Sequence, residues 1–68
     1  MFILVTNHHS QKKVYVNVDS ICMVFQNSEH GEIQFTSDQP TLQTIETVEE
    51  IMQLIDDKAS GKYSGGIK

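Results

Sequence analysis

A chain of 68 residues with a formal net charge of −4 and only lysine among its five strong cations reads as one small domain. It lacks the clustered basic face on which a phosphate-backbone binder depends, which argues against nucleic acid as a partner. One cysteine, Cys22, excludes an intrachain disulfide, and no apolar run approaches the ~20 residues of a membrane span.

"FILVT" (2–6) is β-branched and aromatic without helical spacing and predicts a first strand. "NHHSQK" has loop composition. "KVYVNV" (13–18) alternates strictly, Val14, Val16 and Val18 against Lys13, Tyr15 and Asn17, the period of a half-buried strand. Asp19-Ser20 turns the chain through side chains that bond nearby amides. "SICMVFQ" is a third strand, "NSEHG" a hairpin loop in which Gly31 is expected to supply a positive φ, and "EIQFT" a fourth strand. "SDQPT" holds the only proline and breaks the pairing; "LQTIE" is a short fifth strand at an edge.

The period then changes. Val48, Ile51, Met52 and Ile55 fall at i, i+3, i+4 and i+7, the stripe of a helix. Thr47 and Glu50 form a capping box, and Glu49 and Glu50 suit the positive end of the helix dipole. Gly61 is the expected stop, followed by a flexible tail over 61–68. The fold class is therefore α+β: an antiparallel meander of four or five strands with one C-terminal helix on one face, a single domain over 1–60.

In this registration one sheet face carries Ile3, Val5, Val14, Val16, Ile21, Met23, Phe25, Ile33 and Phe35, which the helix covers. The other face keeps Phe2, Leu4, Tyr15, Cys22 and Val24, where a solvated sheet should be polar. A core below roughly 70–80 residues rarely supplies more than about 3–5 kcal/mol without a staple or a partner. Those five residues are accordingly the expected partner interface, most simply with a second copy in a homodimer or other homo-oligomer, or with another protein. A lone Cys22 within apolar "ICMVF" is expected to be a buried, inert thiol and fits a reducing cytoplasm. "MFILV" lacks the basic flank and cleavage site of a signal peptide.

His8-His9 are adjacent and point to opposite faces of a strand, poor geometry for chelation. The first and third hairpin loops of a meander share one end, which places His30 roughly 10 Å away, with Glu29 and Glu32 nearby. A zinc or nickel site is conceivable, but the spacing matches no structural-zinc pattern, and the reading is loop histidines with no metal or other cofactor. No nucleophile motif occurs, and Gly65-Gly66 lacks the strand–turn–helix setting of a phosphate loop. Glu46, Glu49, Glu50, Asp56 and Asp57 read as a solvated helix face, with a docking surface for a basic partner as the alternative. An enzyme is not expected.

The segments "ILVTN", "KKVYVNVDSI", "IQFTS" and "IETVEEIMQLI" resemble the small bacterial flagellar FlbD (SwrD-like) family over about residues 2 to 56. Matching positions include Ile3, Val5, Asn17, Asp19, Ile21, Thr47, Glu49, Glu50 and Ile55. This chain has "SDQPT" where the family turns through Asn-Gly, and an acidic "DDK" where its helix ends basic. The resemblance implies a non-enzymatic cytoplasmic accessory protein linked to motility. The opening "MFILVT" also resembles the carbon-storage-regulator family of RNA-binding dimers, whose basic strands this arginine-free chain lacks. The expected function is a non-catalytic protein–protein interaction module, with a nucleic-acid-binding regulator as the alternative.

Overall fold

In the computed structural model, which describes residues 1–60, the chain runs β1 (Phe2–Thr6), β2 (Lys13–Asn17), a 3₁₀ turn (Val18–Ser20), β3 (Ile21–Asn27), β4 (His30–Phe35), β5 (Leu42–Gln43) and α1 (Val48–Ser60). The fold is α+β, with every strand pair antiparallel and the helix last. Gly61 and the tail lie outside the described residues.

The strands form two sheets, β1-β2 and β3-β4-β5. The meander divides between β2 and β3, where the 3₁₀ turn carries the chain across. Asn17 caps that turn, its side-chain oxygen accepting from the Asp19 amide at 3.1 Å. The sheets rejoin on the other side. Asn7 bridges to Thr44, the His8 amide donates to the Gln43 carbonyl (2.8 Å), and the Ile45 amide donates to the Thr6 carbonyl (2.9 Å). The end of β1 thus lies beside β5, and the order in space is β3-β4-β5-β1-β2.

Ile3, Val5, Val16, Ile33 and Ile51 are the buried core, with Val14, Ile21, Val24, Leu42, Leu54 and Ile55 among the residues packed against it. Burial of such side chains, roughly 1.5–3 kcal/mol each, is the main force holding helix to sheets. Two expectations about facing change here. The β3–β4 register slips between Ile21 and Met23, so a bulge at Cys22 inverts the alternation beyond it. Ile21 and Val24 pack inward, whereas Met23 is exposed. On α1 the inner stripe is Ile51, Leu54 and Ile55, and Met52 faces outward.

The helix start follows its sequence signal: the Thr47 amide donates to the Glu50 carboxylate (2.9 Å) and the Glu50 amide to the Thr47 hydroxyl (3.2 Å). Just before it, Glu46 ties three elements together. Its carboxylate accepts from the Thr6 amide (2.8 Å) and hydroxyl (2.9 Å), while its carbonyl accepts from the Gly31 amide (2.7 Å) and the Thr44 hydroxyl (2.8 Å). Gly31 does not serve the hairpin as a positive-φ residue; Ser28 does, at φ 61°. Gly31 lies within β4, where a Cβ would come within 2.7 Å of the Glu46 carbonyl oxygen.

Candidate interaction surface

Alternation in β1 and β2 sends Ile3, Val5 and Val16 into the core and leaves Phe2, Leu4 and Tyr15 on the outside. Leu4 stands directly opposite Tyr15 in the register. Tyr15 is 73% exposed, Phe2 51% and Leu4 39%. At ~200 Å² for a large aromatic side chain, these three leave roughly 300 Å² of largely apolar surface. Leu54 and Lys58 of α1 border it, enclosing with Phe2, Leu4 and Tyr15 a shallow groove of about 250 Å³.

The other two residues expected on this face are not there. Cys22 is exposed, but on β3 in the other sheet, because it is the extra residue of the bulge. The expectation of a buried Cys22 fails for the same reason. Val24 is half-buried against the core. No period-2 reading of "ICMVF" finds a one-residue slip; the bulge carries no glycine or proline to mark it.

A second apolar hollow opens beside β2. It has a volume of about 550 Å³ and is lined by inward residues Val14 and Val16 together with Phe35, Pro40 and Leu42. It sits where β2 and the second sheet fail to meet.

Known protein families, characterised proteins and solved structures offer no match to this chain.

The histidines come closer than the strand count suggests. His8 stacks on His30 with ring centroids 4.4 Å apart and planes 24° from parallel, and His9 packs edge-on against His8 at 5.4 Å. The His30 Nε2 is buried without a hydrogen-bond partner. Among the described residues no three His, Cys, Asp or Glu side chains are grouped to hold a metal ion. The loop is organised by Asn7, whose side-chain oxygen accepts from the amides of His9 (2.8 Å) and Ser10 (3.1 Å).

Glu32 is the one acidic residue buried among the described residues. Its carboxylate accepts from the Thr41 hydroxyl (2.5 Å) and the Asn27 amide group (2.7 Å). Those two bonds, with a smaller contribution from the charge of His30, hold its pKa below the ordinary value against the opposing effect of burial. Every partner is local and structural, so the group is a clamp on the 37–41 segment. Sequence reading missed it, since a glutamate at the start of "EIQFT" looks like a solvated strand end. Among the described residues no helix is long and apolar enough to cross a membrane.

Proposed function

We propose that this chain is a small non-catalytic interaction module that self-associates through the outer face of the β1–β2 hairpin. The observation that carries the reading is the contiguous exposure of Phe2, Leu4 and Tyr15 on a regular two-stranded sheet. Patches of a few hundred Å² on small proteins are often functional, and a thin-cored domain gains stability when a partner covers one. A second copy is the simplest partner because it supplies the same surface through a two-fold axis. The link to motility rests on the resemblance to the FlbD family alone, and the cytoplasmic location on that resemblance together with a single cysteine that can form no intrachain disulfide.

Sedimentation equilibrium at micromolar concentration tests the reading. The expected mass is about twice the 7.7 kDa of one chain. Leu4→Lys, at a partly exposed position, is expected to return the protein to monomer with its circular dichroism unchanged. A wild-type chain that stays monomeric up to hundreds of micromolar overturns the proposal.

A further inference from the structure

We infer that the second copy is held by antiparallel pairing of β2 with β2, centred on Tyr15, with the half-buried Val14 of each chain at the seam. The inference rests on the self-association proposed above and places the contact at the β2 edge of that hairpin, where the two outer faces meet side by side.

The backbone shows which edge is free. The Val18 amide donates to the Met1 carbonyl and the Asn7 amide to the Lys12 carbonyl, each at 2.8 Å. Both bonds continue the register that pairs Phe2 with Asn17 and Thr6 with Lys13. Hydrogen-bonded and non-hydrogen-bonded pairs alternate along an antiparallel ladder. Ile3–Val16 and Val5–Val14 are therefore the bonded pairs. The N–H and C=O groups of Lys13 and Tyr15 and the N–H of Asn17 point away from β1, and among the described residues no strand lies on that side.

Other edges are less available. On β1 the outward groups near its end are taken: the Thr6 amide by Glu46, the Thr6 carbonyl by Ile45, and the His8 amide by Gln43. The outer edge of β3 carries the bulge at Cys22, a feature that twists an edge out of pairing geometry. β2 has no bulge and no proline, and only Lys13 at its end guards it.

The edge is also self-complementary. A two-fold axis at Tyr15 sets Tyr15 opposite Tyr15 and Lys13 opposite Asn17, so the lysines of the two copies do not face each other. Val14 falls opposite Val16 as a close, non-bonded pair on the inner side, ~4.5 Å between Cα atoms. Val14, half-buried, lies at the rim of the hollow of about 550 Å³ that Phe35, Pro40 and Leu42 line together with the polar Gln39 and Thr41, while Val16 stays in the core. On the outer side the two Tyr15 rings meet, each beside its own Leu4. Main-chain bonds give such strand addition its affinity, and the alternating side chains give it register.

Amide hydrogen exchange across a concentration series separates the two levels of the claim. The Tyr15 and Asn17 amides are expected to slow at least ten-fold between monomeric and dimeric concentrations, while the Val14 and Val16 amides, bonded to β1, stay protected throughout. Asn17→Pro gives a second readout: the native φ of −77° suits proline, and only an outward N–H is lost. Asn17→Ala loses the same turn cap but keeps that N–H. The proline variant is expected to dimerise at least ten-fold more weakly than the alanine variant. Dimers whose Tyr15 amide exchanges as fast as in the monomer overturn the strand pairing and leave self-association standing. A chain that never dimerises overturns both.

Discussion

Replacing Gly31 by alanine probes the joint that seats the helix on the second sheet. The added carbon would lie 2.7 Å from the Glu46 carbonyl oxygen, 2.8 Å from Ile51 Cδ1 and 3.2 Å from the Thr47 carbonyl carbon. Ile51 is fully buried and has nowhere to swing. Glu46 is fixed by its bonds to Thr6, Gly31 and Thr44. The backbone at 46–47 must therefore shift, and the helix start with it. Overpacking of this kind costs about 1–3 kcal/mol. Alanine also reduces the freedom of the unfolded chain, which returns about 0.4–1 kcal/mol. The net loss is about 1–2 kcal/mol, against a total of roughly 3–9 kcal/mol for a folded unit of ~60 residues. With a urea slope near ~1 kcal/mol/M for so small a domain, the midpoint should fall by about 1–2 M. Wild type and variant are to be unfolded at one protein concentration, because association adds stability by mass action. A midpoint equal to or above that of wild type would refute the reasoning, since the close approach of β4 to residue 46 would then be absent in solution.

Acid provides a second test. The folded-state pKa of Glu32 lies below its ordinary value of 4.5 because Thr41 and Asn27 bond the carboxylate, so the stability it contributes is complete above the unfolded value and lost as pH falls through the folded one. Glu32→Gln should accordingly be less stable than wild type at pH 7, with the gap closing below pH 4.5; a gap independent of pH in urea titrations would contradict this. Thr47→Ala removes the hydroxyl that accepts from the Glu50 amide and should cost ~1 kcal/mol, while Thr47→Ser should restore most of it, as read by thermal melting.

The strands and helix were legible because their periods are clean. Val14 and Val16 alternate with Lys13 and Tyr15, and the Thr47–Glu50 box marks the helix start. The exposure of Phe2, Leu4 and Tyr15 followed from the same alternation. What sequence could not show was the bulge at Cys22, which moved Val24 inward and Met23 outward. Nor could it show the break between β2 and β3, since a turn of Asp19-Ser20 is compatible with either a paired hairpin or a crossing. Glu46 looked like part of a solvated acidic face, yet its carboxylate serves Thr6, forty residues earlier in the chain. Partners that distant leave no local pattern.

The bridge between Asn7 and Thr44 has a further consequence for synthesis. The N-terminal hairpin can form from local contacts as it leaves the ribosome, but its docking onto the rest of the sheet waits until residues 43–46 have also emerged. Closing so long a loop comes late, after the local hairpins. During that interval the inner faces of Ile3, Val5 and Val16 stand uncovered. Those faces are covered only once residues 43–46 and then Ile51 of the helix have followed.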